Sequence, residues 1–216
     1  PKGQHLNDRY VVFDLETTGF SAKSDKIIEI GAVKVENGKI IDRFSTFVNP
    51  EIPIPFRIEK LTSINDEIVI DAPKIEEVLP KFMEFCKDAV MVAHNSDFDM
   101  SFIEANCKRQ NLECDYTVID TVAMSRYLII GLGRYKLDNV AKALGIVLDH
   151  HHRAVDDAEC TALIFLKLCK MLVDKGIDNL DELNRQGKQS KNLIDKLPAH
   201  HLSLIHISEP TRQEAI

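Results

Sequence analysis

The stretch Tyr10-Val11-Val12-Phe13-Asp14-Leu15-Glu16-Thr17-Thr18-Gly19 decides how the rest of the chain is read. Tyr10 to Phe13 are apolar at every position, as in a central strand covered on both faces. The run then ends in two acids, two residues apart. Successive side chains of a strand point to opposite faces, so Asp14 and Glu16 share one, about 6.6 Å apart along the strand. Carboxylates drawn onto a covered face repel each other and lose hydration, a cost that a divalent cation removes by neutralising them. On a water-facing edge strand they would be ordinary solvated surface, so further ligands from elsewhere must separate the two readings.

Outward from this strand, Ile27 to Glu36 and Lys39 to Val48 read as two more strands around the tight turn Asn37-Gly38. Asn49 to Pro55 should be an irregular crossing loop, and Phe56 to Leu61 a short helical turn. Apolar spacing predicts a helix from near Pro73 to Cys86, with Pro80 kinking it or delaying its start. Ala89 to Ala93 is a short apolar strand, and a helix is expected from Ser96 to about Gln110. Thr117 to Ile119 reads as a strand, with Asp120 capping the following helix. Leu137, Val140, Ala141 and Leu144 give a further helix closed by Gly145, and Ala154 to about Asp174 a long one. Strands first and alternation afterwards suit an α/β fold, a mixed sheet with helices on its faces.

The chain has 216 residues, 44% of them hydrophobic, enough for one domain with a full core and some appended sequence. A formal charge of -7 argues against a tight, salt-driven grip on nucleic acid by this chain alone, and metals would have to supply positive charge. Cys86, Cys107, Cys114, Cys160 and Cys169 show no CxxC spacing, which argues against a disulfide frame or zinc site and for a reducing, cytoplasmic setting. No apolar leader precedes Tyr10, and Leu163 to Val173 is interrupted by Lys167 and Lys170 and is too short to span a bilayer, so no membrane partner is expected.

Helical phase selects the remaining acids. Asp97 and Asp99 lie about 200° apart around a helix. Asp97 is in phase with Ser101, Glu104 and Lys108, and Asp99 with Phe102 and Ile103, so Asp99 should point inward. A capping box formed by Ser96 and Asp99 is a compatible second role. Asp157 is in phase with Cys160, Thr161, Ile164 and Leu168, whereas Asp156 joins Glu159, Leu163, Lys167 and Lys170, so Asp157 is the inward member. Acids favour any helix N-terminus, which fits either residue and does not explain why the inward one is charged. Asp14, Glu16, Asp99 and Asp157 thus come from three elements, and hard oxygen ligands suit Mg²⁺ or Mn²⁺ better than zinc. Of His150, His151 and His152, the last lies five residues before Asp157, where it can lean over the site, and an imidazole, with an unperturbed pKa near 6.5, can take a proton from a metal-bound water at neutral pH. His150 and His151 read as loop residues, and His94 as a structural hydrogen-bonding group.

Asp14-Leu15-Glu16-Thr17-Thr18-Gly19, His94-Asn95-Ser96-Asp97-Phe98-Asp99 and His152-Arg153-Ala154-Val155-Asp156-Asp157-Ala158 resemble, in order, the three motifs of the DEDDh 3′-5′ exonucleases. Ile119-Asp120-Thr121 and His151-His152-Arg153-Ala154 are most similar to the proofreading domain of PolC-type replicative polymerases. The resemblance covers roughly Tyr10 to Leu172. It implies a ribonuclease H-like five-stranded mixed sheet, its first three strands antiparallel, and two divalent metals held by Asp14, Glu16, Asp99 and Asp157, with His152 as base. It also implies that Leu61 and Thr62 touch the terminal base and that the Thr17 and Thr18 backbone holds the 3′ end. Where relatives commonly carry Leu-Thr-Gly-Ile, this chain has Leu61-Thr62-Ser63-Ile64, which alters the local backbone if that position needs a positive φ.

The implied reaction is metal-dependent hydrolysis of a single-stranded or frayed DNA 3′ end to nucleoside 5′-monophosphates, beside a polymerase domain in the same or a partner chain. An RNA-trimming exonuclease with the same site is the rival within the class, since the 2′-OH is read by local shape. An inactive scaffold that binds polymerase or nucleic acid is the rival outside it, although a scaffold has no need of a water-activating base. The expected organisation is a leading segment over residues 1–9, the exonuclease domain over 10–175, a linker or the start of a polymerase region over 176–201, and a non-native tail over 202–216. That tail, from Leu202 onward, resembles translated sequencing-adapter DNA.

Overall fold

A computed structural model describes residues 9–148 and 153–177. The polar stretch beyond Ile177, the tail expected from Leu202 and the three-histidine run lie outside the described residues. Strands β1 (Tyr10–Thr17), β2 (Ile27–Glu36) and β3 (Lys39–Phe47) open the chain as an antiparallel meander. Asn37 and Gly38 both take positive φ, so the two-residue turn matches the twist of the strands it joins. β4 (Val90–Ala93) pairs parallel with β1, and β5 (Val118–Asp120) pairs parallel with β4. The order β3-β2-β1-β4-β5 puts β1 in the middle of a mixed sheet, where its unbroken apolar run is covered on both sides, as expected.

Among the described residues the helices are α1 (Phe56–Thr62), α2 (Asp66–Val69), α3 (Ile75–Phe85), α4 (Ser96–Arg109), α5 (Thr121–Leu128), α6 (Leu137–Ala143) and α7 (Ala154–Asp174). On one face of the sheet Tyr10 and Val12 pack with Val33, Val35 and the α7 residues Phe165 and Leu168. On the other Val11, Phe13 and Leu15 pack with Phe82 of α3 and Phe102 of α4. By strand alternation Asp14 and Glu16 continue the Tyr10–Val12 series, so both acids face α7. On β2 the same face reads Glu29, Gly31, Val33, Val35, and Gly31 is the ladder partner of Asp14. A Cβ at Gly31 would lie 2.0 Å from the Val155 nitrogen, so the missing side chain admits the first turn of α7 to the sheet.

Three local details differ from the sequence-based expectation. Pro80 neither breaks nor shortens α3, which starts at Ile75 and runs through it. As the sixth residue of α3 it forgoes one intrahelical bond, to the Glu76 carbonyl, and the apolar face of Val78, Leu79 and Phe82 packed on the sheet holds the helix all the same. The short helix α2 falls in a stretch where no element is expected, with Asn65 capping it through a side-chain bond from the Ile68 N–H. Ser63 stands at the C-cap of α1 with φ 60 and ψ 18, so the left-handed conformation is kept although no glycine is there to favour it.

Two outcomes follow for stability. Gly31→Ala should destabilise the chain by at least ~2 kcal/mol, because backbone rather than a flexible side chain blocks the added methyl. Ser63→Gly should stabilise it by ~1 kcal/mol by relieving the Cβ clash of a left-handed residue. Urea unfolding of the two variants beside the parent reads both.

Candidate active site

The site forms at the carboxyl end of β1, next to the ends of the parallel strands β4 and β5. Asp14, Glu16 and Asp157 each present a carboxylate oxygen, and these atoms all lie within 4.8 Å of one another. β1 supplies the first two by alternation, and α7 brings Asp157 one turn after its start. Asp99 is only 3% exposed, and its Oδ1 accepts a hydrogen bond from the Leu15 N–H at 3.3 Å, which places its carboxyl against the backbone between the two β1 acids. Asp97 is exposed, so helical phase separates that pair as expected. Asp156 and Asp157 are both partly buried, a weaker contrast than the phase argument implies. The Ser96–Asp99 capping box does not form. Asn95, with φ 71, occupies the N-cap position without a side-chain cap. His152 lies outside the described residues.

Asp120 fixes the start of α4 as well as its own helix. Its Oδ1 accepts from the Val122 N–H at 2.9 Å, as the cap of α5, and from the Asn95 N–H at 3.0 Å. Burial lifts its pKa to about 7 against the opposing effect of these bonds. His94 is structural: Nε2 donates to the Tyr135 carbonyl at 2.7 Å, which leaves Nδ1 to accept from the Thr121 hydroxyl at 2.8 Å. Burial lowers its pKa to about 4, so the ring is neutral.

The positions implied for substrate are nearby in the chain but differ in what they offer. Thr17 donates its hydroxyl to the Gly19 carbonyl, and the Thr18 N–H is engaged with the Lys26 carbonyl at 2.8 Å. Thr62 is buried and donates its hydroxyl to the Ile58 carbonyl, whereas Leu61 is 50% exposed and presents apolar surface. Phe20, just after these threonines, packs edge-on against Phe98, and the Arg57 guanidinium of α1 sits over Phe20. That chain of rings ties α1 to the loop after β1.

Sequence reasoning missed Glu29. It is fully buried and is the ladder partner of Glu16. Its Oε2 accepts from Arg153 Nε at 2.6 Å and its Oε1 from the Ala154 N–H at 2.9 Å. A lone acid inside the apolar run Ile27-Ile28-Glu29-Ile30 is the signal that could have found it.

Electrostatically the cluster is loaded. Burial first, then Glu16, Asp99, Asp157 and Glu29, pushes the Asp14 pKa well above the usual carboxylate range. Burial, then Asp157, Glu29 and Asp99, lifts Glu16 from 4.5 to about 8. Burial also raises Asp99, with the Leu15 N–H opposing. Oxygen-only donors, crowded and short of positive charge, fit a hard divalent cation. A carboxyl whose pKa is higher folded than unfolded holds its proton more tightly in the folded state. Without metal the chain should therefore lose stability as pH rises from about 4.5 to about 8. Thermal melting in a chelator across that range should show the decline, and Asp14→Asn, which removes one of the repelling charges, should flatten it.

Comparison with known proteins agrees with this geometry. The exonuclease family RNase_T matches residues 11–165. The DNA polymerase III PolC-type of Caldanaerobacter subterraneus subsp. tengcongensis is 50% identical over 200 residues, which is 93% of this chain and 14% of that protein. The PolC-type polymerase of Staphylococcus epidermidis is 45% identical over 211 residues, 97% of this chain and 15% of that one. The chain thus spans about one seventh of these relatives' length. Among solved structures, Exonuclease X in complex with 5′ overhanging duplex DNA superposes with a TM-score of 0.60 at 29% identity, over 77% of this chain and 93% of that one. The nuclease domain of 3′hExo, a DEDDh family member, shares the ribonuclease H-like fold at a TM-score of 0.66 and 22% identity, over 80% and 95% of the two chains. Motif order, sheet topology and the converging acids agree with the family match, and the chain belongs to the RNase_T family of exonucleases.

Proposed function

We propose that this chain removes nucleotides from the 3′ end of DNA, as the proofreading exonuclease portion of a PolC-type replicative polymerase. The observation that carries this reading is the convergence of Asp14, Glu16 and Asp157 within 4.8 Å on a sheet of this topology. The substrate is a single-stranded or frayed 3′ end, and the product a nucleoside 5′-monophosphate. Similarity to the PolC relatives over nearly the whole chain supports the assignment to proofreading, with the polymerase in the same or a partner chain.

Asp14, Glu16, Asp99 and Asp157 would hold two divalent ions, Mg²⁺ or Mn²⁺. When bound, such ions neutralise the scissile phosphate, make water a better nucleophile at neutral pH and stabilise the leaving 3′ oxygen. The chain's own residues do the rest. Asp99, held by the Leu15 N–H, fixes where β1 and α4 meet. His152, on the segment leading into α7, takes the proton of the attacking water. Leu61 offers its exposed side chain to the terminal base, with Thr62 shaping the backbone beneath it. Thr17 and Thr18 keep the loop after β1 closed under the 3′ end.

Substituting Asp14, Asp99 or Asp157 by Ala should abolish mononucleotide release from a 3′-labelled single strand. His152→Ala should slow it roughly 10²- to 10⁴-fold while Mn²⁺ binding is kept. Matched DNA and RNA oligonucleotides test the choice of sugar. Normal digestion by Asp14→Ala would defeat the assignment.

A further inference from the structure

The buried Glu29 has no part in the reaction just described, and it stands where another negative charge is least welcome. It lies beside Glu16 in the ladder, with no exposed surface, and adds to the repulsion felt by Asp14 and Glu16. Both of its oxygens are already engaged, one by Arg153 Nε at 2.6 Å and one by the Ala154 N–H at 2.9 Å. These two donors open α7. Ala154 is its first residue, and its N–H is among the amides that a helix N-terminus leaves without an internal partner. Two residues along β2, Gly31 admits the Ala154–Val155 backbone to a distance that a side chain would forbid. Asp157 follows Ala154 by three residues, one helical turn.

We infer that Glu29 is a positioning residue: by clamping Arg153 and the Ala154 amide onto β2, beside the gap at Gly31, it sets the register in which Asp157 meets Asp14 and Glu16. The inference rests on the metal-binding reading of those three acids. The side chain presents one acceptor oxygen to each donor. A glutamine at the same place would accept one of the two donors and turn its own N–H₂ toward the other. The guanidinium completes the arrangement from outside: Arg153 is 44% exposed and lies over the Phe47 ring at 4.3 Å, so its far side is fixed to β3.

The clamp and a simple charge effect predict opposite behaviour for Arg153. If Glu29 acted only as a nearby negative charge, Arg153→Met would remove a repelling cation and tighten Mn²⁺ binding. If the pair positions α7, Arg153→Met weakens binding, as Glu29→Gln does. Free Mn²⁺ measured by electron paramagnetic resonance during titration of the whole chain, with circular dichroism to establish folding, reads this without reference to turnover. The expected result is about tenfold weaker Mn²⁺ binding for each variant, and for the double variant a loss no greater than that of the worse single one. Glu159→Gln, which removes an acid on the same helix whose partner is Arg43, should leave binding unchanged. Unchanged binding in Glu29→Gln, tighter binding in Arg153→Met, or equal loss in Glu159→Gln overturns the inference. Should Glu29→Gln fail to fold, Arg153→Met decides alone. A parent chain that folds yet takes up no Mn²⁺ defeats the metal reading itself, and the inference with it.

Discussion

Carboxylates that share a partly buried face repel one another and lose hydration, and β1 carries Asp14 and Glu16 on such a face while α7 brings in Asp157. The surrounding architecture answers that tension. β1 sits in the centre of the sheet, so the acids have a fixed backbone beneath them. The first turn of the covering helix comes close where β2 lacks a side chain, at Gly31. Charge balance is left to hard cations, which agrees with a chain whose own net charge is -7.

The buried acids near the site divide by what their oxygens meet. Glu29 and Asp120 are satisfied by backbone amides, with a guanidinium added for Glu29, and each joins the start of a helix to the sheet. Asp99 stands between the two kinds, with one oxygen on the Leu15 amide and its charge close to Asp14. Asp14 and Glu16 have burial and like charges as the main influences on their protons, so they are the groups most changed by a cation.

Much of this was legible in the residues because simple periodicities suffice. The apolar run of β1 placed it centrally, the Asn37-Gly38 turn set the hairpin register, and helical phase separated buried Asp99 from exposed Asp97. Phase distinguished Asp156 from Asp157 less sharply, because the first turn of a helix against a sheet partly covers more than one side. Pro80, read as a kink or a late start, lies inside a helix that begins at Ile75 and runs on to Phe85, where a packed apolar face outweighs one lost bond, and Ser63 shows that a residue without glycine's freedom can hold the same left-handed turn when the flanking helix end requires it. Glu29 escaped notice for a different reason: its partners, Arg153 and Ala154, lie over a hundred residues away, and no local pattern carries that information.

The acids that converge were drawn from distant parts of the chain, residues 14 and 16 from the first and residue 157 from the last of the described elements. During translation the opening strand leaves the ribosome long before α7 exists, so a nascent chain holds only part of the cluster. The complete set therefore requires α7 to dock on the sheet, and a polypeptide that stops short of α7 has no finished centre.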